Sequence, residues 1–361
     1  MIIAFRVDSS DIIGTGHVQR CLHFAQLYRN NNTIIFITKK HLFSLTEKIK
    51  KNYTCYEMEL ENSNKVNLDY NTWLGEDELN DAEKTISILK ENNIDVDWLI
   101  VDHYAIQKTW EQKVKPFVKK ICVIDDFTHR IHDCHLLINQ QITQEEGLEK
   151  YKDLLNKNCQ ICCGNDYLLI HPSYYHYKYF QKNDHKKQLK KINIFMGGAD
   201  SFNITEIIID ICSTYNNHLD EKIDFDVIVG KSNKHYKKLQ EKIKKLENFH
   251  YYYDLEFIGD LLDQADLCIG APGSTSYERC LMKIPCLCIC IADNQKTVID
   301  KFIKANCIQY LGTLEDNYQQ KLIYYLEYFQ NNSYELKKMS INCEQIIDLK
   351  KNKINVLLDG C

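Results

Sequence analysis

Ile2-Ile3-Ala4-Phe5-Arg6-Val7-Asp8-Ser9-Ser10-Asp11-Ile12-Ile13-Gly14-Thr15-Gly16-His17 passes from a short apolar run, through a polar loop with two glycines, into a pattern with apolar residues at Cys21, Leu22, Ala25 and Tyr28. The first run reads as a buried strand and the later spacing as one face of a helix. Strand, glycine loop and helix in that order open a βαβ unit. A dinucleotide fingerprint would need glycine at position 19, which is Gln19. An NAD-linked dehydrogenase is therefore not indicated.

Outward from that stretch the alternation continues. Apolar, β-branched runs at Thr33 to Thr38, Trp98 to Asp102, Ile121 to Asp125 and His135 to Ile138 are separated by helical patterns. The series starts afresh at Ile192 to Met196 and repeats at Asp226 to Val229, Leu267 to Ile269, Cys286 to Ile291 and Cys307 to Tyr310. Strands alternating with helices predict parallel sheets. At 361 residues the chain exceeds one ordinary core. The expected fold is α/β with two Rossmann-like domains: residues 1–173, a linker at 174–191, and residues 192–361. From Leu314 to about Leu349 the pattern is helical, polar and aromatic, and the fold suggests a terminal helix crossing back to the first lobe. Ligands of such sheets bind outside the carboxyl ends of the strands, so the loops after the strands are where chemistry is expected.

Composition narrows the class. With 44% hydrophobic and 26% charged residues the chain reads as globular. A net charge of −5 and a pI near 6.2 argue against a nucleic-acid partner. The basic run His185 to Lys191 falls between the two patterned halves and reads as a solvated linker. The sixteen cysteines lie mostly in apolar runs, as at Cys286, Cys288 and Cys290, which suits buried thiols in a reducing cytosol better than a disulfide framework. Met1 to Ser10 does not read as a signal peptide. No apolar stretch reaches the ~18 residues of a membrane span, so no membrane insertion and a cytoplasmic location are expected. Nothing in the sequence sets an oligomeric state.

Three glycine loops could carry chemistry. Gly14 and Gly16 let backbone approach a ligand and place His17 at a helix N-terminus. The partial positive charge there disfavours imidazolium and leaves His17 able to act as a general base. Ile269-Gly270-Ala271-Pro272-Gly273-Ser274-Thr275-Ser276-Tyr277-Glu278 again leads from strand to helix; its amides and hydroxyls suit a pyrophosphate, and Glu278 suits ribose hydroxyls. Gly197-Gly198-Ala199-Asp200 and Asp293-Asn294-Gln295 follow strands too. There, helix capping competes equally with ligand contact. His129, His132 and His135 beside Asp125, Asp126, Asp133 and Cys134 invite a metal reading, but spacing along a loop and strand does not put the three rings on one face.

Together the motifs carry a resemblance. They are Phe5 to Ser10 with Gly14-Thr15-Gly16-His17 and Arg20; Trp73-Leu74-Gly75 with Asp81-Ala82; Asp125-Asp126 with Arg130, His132, Asp133 and Cys134; Gly197 to Asp200 with Asn203; and Gly273 to Cys280 followed by Ala292 to Gln295. In this order they resemble the UDP-2,4-diacetamido-2,4,6-trideoxy-β-L-altropyranose hydrolases of pseudaminic acid biosynthesis. Met196 before Gly197 and Pro272 before Gly273 depart from the pattern, and residues 314–361 carry no matching motif. The resemblance implies a GT-B-like fold, two parallel-sheet domains facing a central cleft, similar to the enzyme that adds N-acetylglucosamine to the peptidoglycan lipid intermediate. It implies a UDP-sugar substrate, with His17 as the catalytic base activating water, Glu278 facing the ribose, inversion at the anomeric carbon, and no cofactor or metal. The substrate-binding positions expected are Asp8, Gly14, Gly16, Arg20, Gly198, Asp200, Asn203, Ile258, Gly273, Ser274, Thr275, Glu278, Asp293, Asn294 and Gln295.

Two rivals stand beside this reading. A GT-B glycosyltransferase would hand the sugar to an acceptor; a lipid acceptor commonly needs a membrane-facing patch on the first lobe, and none is evident. A non-catalytic sugar-nucleotide-binding protein would bind without turnover, and the pairing of His17 with Glu278 argues against it.

Overall fold

A computed structural model of the chain describes residues 1–62, 65–176, 189–291, 295–347 and 349–359. It divides into two compact units, Met1–Leu169 together with Leu349–Cys361, and Ile170–Asp348. The first division falls slightly before the expected linker, whose residues 177–188 lie outside the described residues.

The first unit runs β1 (Ile2–Val7), α1 (Gly16–Tyr28), β2 (Thr33–Lys39), α2 (Thr46–Lys50), β3 (Thr54–Met58), α3 (Glu78–Glu91), β4 (Val96–Asp102), α4 (Lys108–Val114), β5 (Val118–Ile124), β6 (Leu136–Asn139), α5 (Gln144–Lys150) and β7 (Gln160–Cys163). The second runs α6 (Ser173–His176), β8 (Lys191–Phe195), α7 (Ile204–Asn217), β9 (Asp224–Val229), α8 (Tyr236–Ile243), β10 (Phe249–Tyr253), α9 (Gly259–Gln264), β11 (Leu267–Gly270), α10 (Ser274–Leu281), β12 (Cys286–Cys290), α11 (Lys296–Lys304), β13 (Ile308–Thr313), α12 (Tyr318–Asn331) and α13 (Ser333–Cys343).

Each unit is built on one parallel sheet. The orders are β3-β2-β1-β4-β5-β6-β7 and β10-β9-β8-β11-β12-β13, so both follow the doubly wound pattern in which strand order reverses beside the first strand. Helices cover both faces of such sheets, which is why central strands such as Thr33–Lys39 and Cys286–Cys290 are buried almost throughout. Ala4, Ile35, Leu99, Val101, Ile121 and Leu137 join one core, and Ile192, Ile194, Val227, Ile269, Leu287 and Leu322 the other. On the opposite face of the first sheet Phe5 stacks on Phe36 with ring centroids 4.8 Å apart.

One side of that first sheet holds charge. Arg6 is fully buried and donates to Asp8 at 2.7 Å and Asp81 at 2.7 Å, while Lys39 lies 2.9 Å from Asp81 and 2.6 Å from Glu76. Removing one partner of such a network leaves an uncompensated buried charge and typically costs about 3–5 kcal/mol.

Residues 349–359 rejoin the first unit as short 3₁₀ turns, not as the expected terminal helix. The Tyr28 hydroxyl donates to the Ile354 carbonyl at 2.9 Å and accepts from the Leu358 amide at 3.0 Å. Among the described residues no helix is long and apolar enough to cross a membrane, and every cysteine is free of a disulfide.

Candidate functional site

In the first unit the order reversal lies between β1 and β4, where Val7 pairs in register with Asp102. The loop after β1 and the last residue of β4 therefore meet at one point. The β1 loop is pinned by the Ser10 hydroxyl, which accepts from the Ile12 and Ile13 amides, and by Gly14, whose φ of +84° suits glycine. Thr15 offers no side-chain cap to α1, so the amides of its first turn point outward. Val18, Cys21, Phe24, Ala25 and Tyr28 bury the inner face of α1, and this orients His17 and, one turn on, Arg20.

The imidazole of His17 lies with Nδ1 2.6 Å from Asp102 Oδ1. Arg20 grips the same carboxylate through Nε at 2.6 Å and a terminal nitrogen at 2.7 Å, and reaches Asp126 at 2.6 Å with the other. The Tyr104 hydroxyl donates to Asp126 as well. Tyr104 stands edge-on to His17 at 4.4 Å and Trp73 at 5.8 Å, walling the imidazole. Burial pushes the Asp102 carboxyl up, but the Arg20 guanidinium and His17 outweigh it and hold it well below the usual carboxylate range. A carboxylate acceptor fixes the ring tautomer: the proton sits on Nδ1, and the Nε2 lone pair, without a hydrogen-bond partner among the described residues, is left to accept another. Asp102 also compensates the positive charge that develops on the ring when it does so, the logic of a histidine–aspartate pair.

Asp102 orients His17 and acts on its charge in the opposite sense to the helix end, which was expected to disfavour the imidazolium. A dipole contributes about 0.3–1 kcal/mol at such a position, whereas a charged hydrogen bond contributes about 1.5–3 kcal/mol. The signal was present, an aspartate closing an apolar strand at its carboxyl end. Asp126, Tyr104 and Trp73 join the site through folding and could not be paired with His17 from spacing. Asp8 is placed two residues beyond Arg6, fully buried, with Arg6, the Lys39 amide and the Thr38 hydroxyl on its oxygens. Its carboxylate is occupied in holding β1, β2 and Arg6 together.

The second unit repeats the geometry between β8 and β11, where Phe195 pairs with Gly270. The loop after β8 contains Gly197 at φ +93° and Gly198, against which Gly230 packs closely enough to exclude a side chain. Asp200 accepts from the Ile204 and Thr205 amides at 2.8 and 3.0 Å, and Asn203 donates to Glu206. Asp200 thus caps α7, the alternative weighed above, and burial pushes its carboxyl up. After β11, Gly273 leads into α10 with no side chain on the first turn's amides, so Ser274 and Thr275 present an open N-terminus. Ile258 and Thr275 line one small cavity with Arg279 and Asn193.

Glu278 differs from every carboxylate in the first site. It is buried, has no hydrogen-bond or ion-pair partner among the described residues, and burial pushes its carboxyl up to about 7 against a weaker pull from Arg279. Gln295 accepts from the Ile291 amide at 2.9 Å; Asp293 and Asn294 lie outside the described residues.

The three histidines of the metal reading go to separate partners. His132 is held between Glu111 at 2.6 Å and Asp125 at 2.9 Å, His129 meets the Tyr70 hydroxyl, and His135 Nδ1 accepts from the Ile121 amide. The two carboxylates overcome burial and push the His132 imidazole up to about 9.

Solved structures share this architecture over nearly the full chain. MurG of Acinetobacter baumannii superimposes with a TM-score of 0.59 at 11% identity, covering 99% of this chain and 98% of that one. MnaA of S. aureus, solved with UDP, gives 0.60 at 10% identity, covering 97% and 93%. The fold is GT-B-like. In sequence the chain is 27% identical over 298 residues to the UDP-2,4-diacetamido-2,4,6-trideoxy-β-L-altropyranose hydrolase of Campylobacter jejuni, covering 82% of this chain and 94% of that protein. The resemblance read from the motifs is thus matched along most of both chains. No family model matches the chain. His17 lies in the first turn of α1 and Glu278 one turn into α10, each in the helix that follows a strand flanking the order reversal of its own sheet.

Proposed function

We propose that this protein is a nucleotide-sugar hydrolase that releases UDP from UDP-2,4-diacetamido-2,4,6-trideoxy-β-L-altrose, in pseudaminic acid biosynthesis. His17 Nε2 takes a proton from water, the water attacks the anomeric carbon, and UDP departs with inversion of configuration. Asp102 holds the tautomer and balances the imidazolium, and Arg20, itself held by Asp126, holds Asp102. The observation that carries this reading is the His17–Asp102 pair, whose other ring nitrogen has no partner among the described residues; the similarity to the Campylobacter hydrolase supports the substrate.

The second unit is assigned the nucleotide. The open amides of Ser274 and Thr275 in the first turn of α10, entered through Gly273, suit the diphosphate, on which negative charge grows as the glycosidic bond breaks. Glu278 accepts the ribose hydroxyls. Gly198, Asp200, Asn203, Ile258, Asp293, Asn294 and Gln295 remain assigned to the substrate's surroundings, as do Asp8, Gly14, Gly16 and Arg20 on the first unit. The reaction needs no metal, since the base is an imidazole and the leaving group is already stabilised by amides.

Acceptor-free release of UDP in the presence of a chelator, with the anomer of the freed sugar followed by NMR, tests the proposal. Rapid release with an inverted first product supports it. UDP release only on addition of an acceptor would replace it with the glycosyltransferase reading, which the GT-B neighbours favour.

A further inference from the structure

Cys280, Cys307 and Cys343 come from three elements of the second unit, the end of α10, the residue before β13 and the last residue of α13. Their sulfurs all lie within 4.8 Å of one another, and the Cys280 and Cys307 sulfurs are 3.8 Å apart. All three are buried, at 3%, 0% and 0% exposure. Sulfurs bound to one ion at about 2.3 Å stand about 3.8 Å apart at tetrahedral angles, so one pair already has the separation that shared ligation requires.

A second observation concerns charge. Arg279, next to Cys280, is buried at 3% exposure and donates only to neutral oxygens, the Ala271 carbonyl and the Ser276 hydroxyl, both at 2.9 Å. No carboxylate lies within ion-pair distance of it among the described residues. Buried cations are ordinarily paired, because an unpaired one carries several kcal/mol of desolvation cost. The groups whose charge Arg279 senses are the sulfurs of Cys286, Cys288, Cys268 and Cys280, and the Glu278 carboxyl, which it does not bond. A buried guanidinium among thiols calls for negative charge on sulfur. Three thiolates around a divalent ion sum to −1 and Arg279 returns the region to zero; around a monovalent ion they sum to −2.

We propose that Cys280, Cys307 and Cys343 bind one soft, thiophilic d¹⁰ metal ion, which fastens α10 to β13 and α13. Thiolate-only donor sets select such ions, of which Zn(II) and Cu(I) are the biological examples. The ion takes no part in the reaction at His17. It holds the far end of the helix that begins with Ser274 and Thr275 and carries Glu278 one turn on, and Ser340 of α13 anchors the same corner through the Lys283 carbonyl. Ligands this buried imply loading during folding.

The full chain, purified reduced and without oxygen, is titrated with Zn(II) against a coloured Zn(II) chelator and with Cu(I) against a Cu(I) chelator. One tightly held equivalent of either ion is expected, and the arm that retains it identifies the charge. Cys307→Ser and Cys343→Ser should each weaken retention by more than the roughly 100-fold seen for outer-shell partners, while Cys212→Ser, another buried cysteine of this unit, should not. Alkylation mapped by mass spectrometry on the wild type gives a readout that needs no variant: loading must protect Cys280, Cys307 and Cys343. Retention of neither ion, equal loss in Cys212→Ser, no change in alkylation, or a Cys280–Cys307 disulfide in the isolated protein would each overturn the proposal.

Discussion

The two units place a chemical group at the same topological point and treat its charge in opposite ways. In the first, His17, Asp102, Arg20, Asp126 and Tyr104 form a continuous chain of hydrogen bonds, with His17 Nε2 left without a partner among the described residues. In the second, Glu278 is buried with no partner among the described residues, beside an open helix end. A paired group is held in position before substrate arrives, which suits a base that must meet water at one angle. An unpaired buried carboxylate is costly until a ligand supplies donors, which suits recognition. On the proposed function, the same sheet order serves chemistry in one unit and binding in the other.

The comparison can be broken at its strongest bond. Asp102→Asn keeps the shape but removes the charge that fixes the His17 tautomer, so turnover should fall on the order of 10²- to 10⁴-fold with KM little changed. Steady-state UDP release measures this. A fall confined to KM would mean that Asp102 serves binding instead.

A smaller effect is expected across the divide. Glu278→Ala should weaken UDP binding roughly tenfold to a hundredfold, as for loss of charged hydrogen bonds, with kcat nearly unchanged. Because burial raises this carboxyl from 4.5 to about 7, the free folded protein holds a proton there that the unfolded chain has released. That stability is present below pH 4.5 and lost as pH rises through about 7. Ribose donors favour the ionised form, so UDP binding near pH ~6 should expel protons in the wild type and none at this site in Glu278→Gln. Calorimetry in buffers of differing ionisation heat reads the difference.

The smallest expected effect concerns stability alone. His132 is raised from 6.5 to about 9 by its two carboxylates, so its contribution is complete below pH 6.5 and lost as pH rises through about 9. The melting temperature of the first unit should decline through that window, and His132→Gln should flatten the decline. An equal decline in the variant would assign it elsewhere.

Much of the fold was legible because parallel strands buried on both faces are continuous apolar runs. The strands left unread, Thr54–Met58, Gln160–Cys163 and Phe249–Tyr253, are all at sheet edges. An edge strand is only half covered, so residues such as Glu57, Gln160 and His250 interrupt the apolar signal. His17 and Glu278 could be found from glycine loops at strand ends. Asp102 stood at a strand end without a glycine to mark it, and Asp126 and Tyr104 reach His17 only through folding. Asp8 illustrates another limit: that a polar residue after a strand also holds the scaffold is not visible in its sequence position.

The most direct test of this division of labour is one paired measurement on His17→Ala, the rate of acceptor-free UDP release together with the affinity for UDP. The account predicts a rate lower by roughly 10²- to 10⁴-fold and an affinity close to that of the wild type. An unchanged rate, or a rate that falls only in step with affinity, would contradict it.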